Sequence, residues 1–169
     1  MTNEQPQLPP TRAIATKPTW QATSDSWFEY PIKAHPHHTD YGGMVWHGCY
    51  IAWMEEARVE CLRSIGIEFA DLVKIGCDLP VVELSARYHQ PMRLGNEAIV
   101  KARTNGMDGV RIHWDYQIQS PQPTAPELSP LIYLTARVTL VAVDREKGKI
   151  LRQLPPLVKD ALVKLSGLS

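Results

Sequence analysis

The chain has 169 residues, of which 44% are hydrophobic and 21% are charged, a composition typical of one globular domain with a sizeable core. Lysine plus arginine and aspartate plus glutamate both number 18, which argues against a general affinity for nucleic acid or anionic membranes. The three cysteines show no C-x-x-C spacing, so we expect neither a disulfide framework nor a zinc site, and we predict a cytoplasmic protein. No apolar run reaches the ~18–20 residues of an integral membrane segment.

The predicted elements begin after an N-terminal leader. Residues 1–24 contain Pro6, Pro9, Pro10 and Pro18, which interrupt any helix, and the segment lacks the basic and apolar regions of a secretory signal. We therefore expect a disordered proline-rich leader over residues 1–24 and a single domain over residues 25–169.

The first predicted strand covers residues 27–34, where apolar and polar residues alternate, and a polar loop follows over residues 35–43. From about Val45 the apolar period becomes helical and continues to Ile65, with Gly66 as a typical residue after a helix end. The apolar stripe of this long helix consists of Tyr50, Ile51, Trp53, Met54, Ala57, Cys61, Leu62 and Ile65.

The remainder of the chain predicts mostly strands. A short helix over 68–75 is followed by predicted strands over 79–88, 98–104, 110–119 and 131–143, then by a C-terminal helix over 155–165. Asn105 to Gly109 predicts a hairpin turn, whereas the proline-rich segment 120–130 predicts an irregular loop. Consecutive hairpins build an antiparallel sheet whose apolar face needs a cover, so we predict an α+β fold with the sheet curved around the long helix.

The most informative residue for chemistry is Asp40, which precedes the Gly42-Gly43 pair and the long helix. An aspartate in this place is often only a helix cap or a turn former. The helical period begins five or more residues later, however, so Asp40 is expected beside the helix start rather than at its cap. Unpaired N–H groups and a partial positive charge at a helix N-terminus suit a developing oxyanion. A carboxylate next to such an end therefore suggests acyl-transfer chemistry.

The segment from Asp40 to Arg58 resembles the signature of the 4-hydroxybenzoyl-CoA thioesterase family of hotdog-fold acyl-CoA hydrolases. The pattern is an aspartate, small residues, an apolar-aromatic stretch, a polar pair, a tyrosine and a later Glu-Ala-Arg. In this chain its positions are held by Asp40, Gly42-Gly43, Met44-Val45-Trp46, His47-Gly48, Tyr50 and Glu56-Ala57-Arg58. The similarity is greatest to the bacterial Tol-Pal-associated branch and extends over roughly residues 27–165.

This resemblance implies the hotdog fold and an acyl-CoA thioesterase that releases free CoA and a carboxylic acid. The residue matching Asp40 would act as the nucleophile or as the general base. The backbone N–H at His47 would hold the oxyanion, and the His47 side chain would lie near the thioester. Gly42 and Gly43 would let the chain turn tightly and the acyl group approach.

Three further residues are predicted to contact the substrate. Tyr41 replaces the small residue that is usual in the family and would narrow the acyl pocket, which Trp46 would also line. Arg111 is the arginine expected to meet the CoA phosphates, although Arg87, Arg103 and Lys101 remain alternatives. Which acyl group is hydrolysed stays open, and 1,4-dihydroxy-2-naphthoyl-CoA is one special case.

The histidines of residues 35–38 depart from the family pattern. Imidazoles can bind a transition metal, but these lack an acidic or cysteine partner at a recognised spacing. We interpret them as a polar mouth that tunes activity near neutral pH, and we expect neither a metal nor an organic cofactor. Cys49 and Cys61 are interpreted as core residues, and helix glutamates such as Glu55 and Glu56 as structural.

The resemblance also implies a homodimer or homotetramer, with acyl-CoA bound between subunits. Two rival functions stay open. One is hydratase or dehydratase chemistry through an Asp40–His47 pair. The other is a non-enzymatic protein that binds acyl carriers or other partners, for which the 120–130 loop and the leader could serve.

Overall fold

The computed structural model describes residues 27–123 and 128–166, so the predicted leader over residues 1–24 lies outside the described residues. In chain order the elements are β1 (Phe28–Lys33), a 3₁₀ turn (Pro36–His38), α1 (His47–Ser64), α2 (Phe69–Lys74), β2 (Cys77–Asp78), β3 (Val81–Tyr88), β4 (Glu97–Asp108), β5 (Arg111–Gln119), β6 (Ile132–Val141), β7 (Val143–Asp144) and α3 (Pro156–Ser166).

Five strands form one antiparallel sheet in the order β1-β4-β5-β6-β3, and β2 pairs with β7 in a small second sheet. Strand β1 is at one edge, where Pro31 is tolerated because an edge strand needs fewer N–H donors. Strand β3 is at the other edge and pairs only with β6 among the described residues.

The core lies between α1 and one face of the sheet. In β5 the residues alternate strictly, so that Ile112, Trp114, Tyr116 and Ile118 are buried, whereas the residues between them face outward. Opposite them, α1 buries Tyr50, Trp53, Met54, Ala57 and Cys61. The predicted α+β fold, with an antiparallel sheet packed around one long helix, is confirmed.

The prediction for the apolar stripe of α1 is wrong at one position and incomplete at another. Ile51 is 39% exposed, while the charged Arg58 is 6% exposed. The guanidinium of Arg58 donates a hydrogen bond to the buried hydroxyl of Tyr116 at 2.9 Å and forms an ion pair with Glu55. A buried charge needs such partners, and they explain how an arginine fits inside this helix face.

The predicted hairpin turn over residues 105–109 is also wrong. Strand β4 continues to Asp108 through a register shift between Thr104 and Met107, and the turn is formed by Gly109 and Val110. Gly106 has a φ of +90°, a conformation that suits glycine, so the Asn-Gly pair makes a bulge rather than the turn.

Neither a membrane-spanning helix nor a metal-binding cluster is present among the described residues. No helix within residues 27–123 and 128–166 is long and apolar enough to cross a membrane. In the same residues, no group of three or more His, Cys, Asp or Glu side chains is arranged to hold a metal ion.

Candidate active site

Asp40 begins a tight turn that its own side chain and backbone stabilise. The backbone N–H groups of Gly42 and Met44 donate hydrogen bonds to Asp40 Oδ1 at 2.9 and 3.1 Å. The N–H of Asp40 donates to the carbonyl of Met44 at 2.8 Å, and the N–H of Gly43 donates to the carbonyl of Asp40 at 3.0 Å. Gly43 completes the turn with a φ of +76°, which a residue with a Cβ rarely adopts. The carboxylate is thereby held in one orientation.

The second carboxylate oxygen of Asp40 is available for chemistry. Asp40 is exposed, and no residue within 27–123 and 128–166 donates a hydrogen bond to Oδ2 or forms an ion pair with the carboxylate. An oxygen of this kind can accept a proton from water or attack an electrophilic carbon. The turn therefore fixes one oxygen and leaves the other free to react.

The turn containing Asp40 leads directly into α1. Thr39 pairs with Val45 across the turn, and the N–H of Trp46 donates to the carbonyl of His38 at 2.9 Å. The N-cap of α1 is Trp46, which makes no side-chain capping bond. Asp40 therefore lies beside the helix start and is not its cap, as the spacing predicted.

The first N–H groups of α1 point outward from the helix start. In the part of the chain that the structure describes, no acceptor takes the N–H of His47 or Gly48, as is expected for the first turn of a helix. The indole of Trp46 folds over Gly48, where a Cβ would clash with the indole ring. Glycine at position 48 thus allows Trp46 to cover the helix start.

A cleft of about 280 Å³ opens next to this helix start. Its walls come from the turn, from α1 and from the end of β3, and they consist of Met44, Val45, His47, Tyr50, Tyr88, His89, Gln90 and Pro91. A largely apolar cleft with a few polar groups is typical of a small-molecule site.

Two tyrosines fix the geometry of the cleft. The hydroxyl of Tyr88 donates to the carbonyl of His47 at 3.1 Å, and the N–H of Met92 donates to the hydroxyl of Tyr50 at 3.1 Å. The two rings meet edge to face, with centroids 5.3 Å apart. Burial raises the pKa of both hydroxyl groups, so both stay protonated at neutral pH.

Six of the seven predicted site residues lie in the segment from Asp40 to His47, and His47 is the one of them that lines the cleft. The Asp40 turn, with Gly42 and Gly43, leads within a few residues to Trp46 and His47 at the helix start. Tyr41 belongs to the same turn, but its side chain is fully exposed and does not line the cleft beside α1.

Arg111 is the exception among the predicted residues. It begins β5 and pairs with Val141, whereas the opposite end of β5, at Gln119, lies toward the end of the sheet that contacts the Asp40 turn. The length of β5 separates the two ends by about 27 Å, given the rise per residue of a strand. Arg111 is therefore not brought to Asp40 within one chain.

Sequence reasoning missed two residues near the turn. Tyr88 lies at the end of a predicted strand, and only the fold reveals that it contacts His47. Arg93 pairs with Met44 through a backbone bridge, which places an exposed arginine next to the Asp40 turn. A signal for Arg93 existed, since the resemblance extends through the segment that contains it.

The sequence profile of the Thioesterase superfamily matches residues 42–127, which is about half of the chain. This chain belongs to the thioesterase superfamily. The match begins two residues after Asp40, at the first glycine of the turn. It includes α1, the cleft tyrosines and the strands β3 to β5.

Relatives of this thioesterase-superfamily chain agree with that assignment. The chain is 49% identical over 164 residues to a protein of Synechocystis sp. named as a candidate esterase, covering 95% of each. It is 32% identical over 111 residues to a candidate acyl-CoA thioesterase of Bacillus subtilis, covering 66% of this chain and 75% of that protein.

A solved structure shares the fold of this superfamily member. A 1,4-dihydroxy-2-naphthoyl-CoA thioesterase from Synechocystis superposes with a TM-score of 0.71 at 21% identity, covering 83% of this chain and 98% of that chain. At this level of identity the likeness establishes the hotdog fold alone.

Proposed function

We propose that this chain is an acyl-CoA thioesterase that uses Asp40 as its catalytic carboxylate and the start of α1 as its oxyanion hole. The observation that carries the proposal is the pairing of a fixed carboxylate with the unpaired N–H groups of His47 and Gly48, beside a cleft. The names of the Synechocystis and Bacillus relatives, an esterase and an acyl-CoA thioesterase, support the same reaction.

Two chemical routes fit the geometry of Asp40. As a general base, Oδ2 accepts a proton from water, the hydroxide attacks the thioester carbonyl, and the CoA thiolate leaves and is protonated. As a nucleophile, Oδ2 attacks the carbonyl itself and displaces the thiolate, and water then hydrolyses the mixed anhydride. Single turnover in ¹⁸O-labelled water tests the nucleophilic route, since water that attacks the aspartyl carbonyl of the anhydride places ¹⁸O in the Asp40 side chain, which the general-base route never does.

The backbone N–H of His47 is proposed to hold the oxyanion in either route. One such donor contributes about 3–4 kcal/mol to transition-state stabilisation in comparable sites. The substitution His47→Ala keeps this N–H and removes the imidazole. Thus the activity remaining in His47→Ala measures what the backbone provides, and the difference from the wild type measures the imidazole.

The CoA phosphates are proposed to bind near Arg93 rather than near Arg111. Arg93 is the arginine whose backbone pairs with the Asp40 turn, whereas Arg111 lies at the far end of the sheet. Arg93→Gln is expected to raise KM for acyl-CoA several-fold, and Arg111→Gln is the matched comparison at the far end of the same sheet. An effect of Arg111→Gln alone would indicate that a second copy supplies the phosphate contact.

A homodimer or a larger homo-oligomer is part of this proposal. Strand β3 exposes its outer backbone edge together with the apolar side chains of Val81, Val82 and Leu84, which are 45%, 49% and 37% exposed. Exposed apolar edges of this kind favour pairing with another strand. Sedimentation equilibrium is expected to give at least twice the 19.1 kDa of one chain.

The absence of a cofactor, the family branch and the cellular location also belong to this proposal. The acyl group stays unassigned, and neither a metal nor an organic cofactor is expected to be needed. Membership of the Tol-Pal-associated branch and a cytoplasmic location depend on the sequence alone.

The rival functions predict different assay results. A hydratase would consume an enoyl-CoA without releasing thiol. A non-enzymatic binder of acyl carriers would turn over neither substrate.

The experiment that tests the proposal measures thiol release from acyl-CoAs ranging from benzoyl to palmitoyl. Asp40→Asn is the informative variant, because an asparagine Oδ1 can still accept the N–H bonds of Gly42 and Met44. Loss of turnover with the turn intact would separate catalysis from folding.

A further inference from the structure

A cluster of three histidines lies immediately before Asp40. The 3₁₀ turn Pro36–His38 brings the imidazoles of His35, His37 and His38 together, with ring centroids 4.0 to 5.8 Å apart. At these distances a positive charge on His35 or His37 would oppose protonation of His38, because like charges repel.

His38 is the member of this cluster that holds the turn together. The N–H of His35 donates to His38 Nδ1 at 3.0 Å, so the neutral ring carries its proton on Nε2. The carbonyl of His38 accepts the N–H of Trp46 at 2.9 Å and the thiol of Cys49 at 3.3 Å. One residue thus connects the turn before Asp40 to the start of α1.

The surroundings of the His38 ring oppose its protonation. Its edge meets the ring of Trp53 on α1, with centroids 5.1 Å apart. Partial burial, followed by the neighbouring His37 and His35, lowers the pKa of His38. Glu56 on α1 and the carbonyl of Lys33 at the end of β1 act in the opposite direction and do not outweigh the burial.

Protonation of His38 would change the turn directly. An imidazolium has two N–H donors and no acceptor, so it cannot receive the hydrogen bond from the N–H of His35. A cation would also be placed beside two other imidazoles. The segment that would change conformation is the 3₁₀ turn Pro36–His38, which leads into Asp40 and accepts the N–H of Trp46 through the His38 carbonyl.

We propose that His38 is a positioning residue whose neutral ring stabilises the 3₁₀ turn before Asp40, and with it the position of the His38 carbonyl that accepts the N–H of Trp46, so that protonation of the ring turns the site off as the pH falls below neutral. The class of device is a pH-dependent switch that acts through Asp40. The expected loss of activity rests on the proposed thioesterase function, whereas the expected opening of the turn on protonation of His38 does not.

The first test compares pH profiles of kcat/KM for wild type, His38→Asn and His38→Leu. An asparagine Oδ1 can replace Nδ1 as the acceptor but does not titrate in this range. As the pH falls from about 7.5 to about 5, the wild type is expected to lose several-fold and His38→Asn less than about twofold, because an asparagine does not titrate in this range. His38→Leu is expected to be impaired at every pH, and His37→Asn is the control that keeps the His38 bond.

Identical profiles for the wild type and His38→Asn would overturn the proposal. So would full activity of His38→Leu across the range, because that variant lacks the acceptor altogether.

The second test needs neither activity nor a substitution. Titration of the imidazole NMR signals of the wild type is expected to show His38 protonating below the ordinary value of about 6.5, together with amide shifts at Asp40 and Trp46. If the thioesterase function is wrong, these shifts are still expected. A His38 that titrates without moving either amide would overturn the switch and leave the proposed function untouched.

Discussion

Asp40 and Met44 hydrogen-bond to each other in both directions. The N–H of Asp40 donates to the carbonyl of Met44 at 2.8 Å, and the N–H of Met44 donates to Asp40 Oδ1 at 3.1 Å. The side chain thus completes a turn that the backbone began, which is the reason an exposed carboxylate has a fixed orientation. Orientation of this kind reduces the entropy lost on reaching a reactive geometry.

The two turn glycines are predicted to differ in what they contribute. A Cβ on Gly42 would lie 3.2 Å from Asp40 Oδ1, whereas a Cβ on Gly43 would meet no atom but would need a φ of +76°. Gly42→Ala is therefore expected to lower kcat with little change in stability. Gly43→Ala is expected to cost about 1–2 kcal/mol of unfolding free energy, the cost of a left-handed conformation.

Urea denaturation together with steady-state kinetics on both variants checks this prediction. An unchanged kcat for Gly42→Ala would mean that the carboxylate tolerates displacement, contrary to its role here.

Loss of the hydroxyl group is predicted to destabilise the protein more at Tyr50 than at Tyr88. Tyr50→Phe leaves the buried N–H of Met92 without an acceptor, which costs about 1–3 kcal/mol. Tyr88→Phe removes a donor from the more exposed carbonyl of His47, which costs about 0.5–1.5 kcal/mol. Chemical denaturation of the two variants gives the comparison directly. A larger loss for Tyr88→Phe than for Tyr50→Phe would contradict the contacts assigned to these hydroxyl groups.

Arg58 and Tyr116 are predicted to be strongly coupled in stability. Arg58→Met leaves the buried Tyr116 hydroxyl without its donor, and Tyr116→Phe leaves the buried guanidinium without its acceptor, so each costs about 1–3 kcal/mol. The double variant is expected to cost little more than one single variant, which a double-mutant cycle measures. Glu55→Gln is the control and is expected to cost less than about 1 kcal/mol, because its carboxylate is largely exposed. Simple additivity of the two single effects would show that the pair does not interact.

The three cysteines are predicted to differ in reactivity. Burial raises the pKa of the Cys61 thiol to about 12, and both Cys61 and Cys77 are 1% exposed. Cys49 is only partly buried. Iodoacetamide at neutral pH is therefore expected to modify Cys49 first in the native protein and all three in urea, as peptide mass spectrometry would show. Modification of Cys61 before Cys49 would contradict the packing of α1 on the sheet.

Local pattern was sufficient for the long helix, for strand β5 and for the position of Asp40. The helical period from Val45 onward predicts α1, and the alternation over residues 110–119 predicts β5, because each element buries one face. The spacing between Asp40 and that period predicts its place beside the helix start. These features depend on neighbours in sequence, and sequence displays them directly.

Features that depend on long-range pairing could not be predicted. Asn105-Gly106 has the local signature of a turn, yet the pairing of Met107 with Ile112 carries the strand past it and converts it into a bulge. The contact of Tyr88 with His47 requires β3 and α1 to meet, and nothing in either segment indicates it. The predicted role of Arg111 stays a prediction, and its distance from Asp40 in the same chain was not apparent from the sequence, since strand direction decides which end of β5 approaches Asp40.

The most direct measurement is thiol release from the acyl-CoA panel by the wild type and Asp40→Asn under identical conditions. We expect turnover by the wild type and a loss of about 10²- to 10⁴-fold in Asp40→Asn, the usual contribution of a positioned acid or base, with unchanged unfolding behaviour. Equal turnover by the two proteins would contradict the role of Asp40. The absence of turnover by the wild type across the whole panel would contradict acyl-CoA hydrolysis itself.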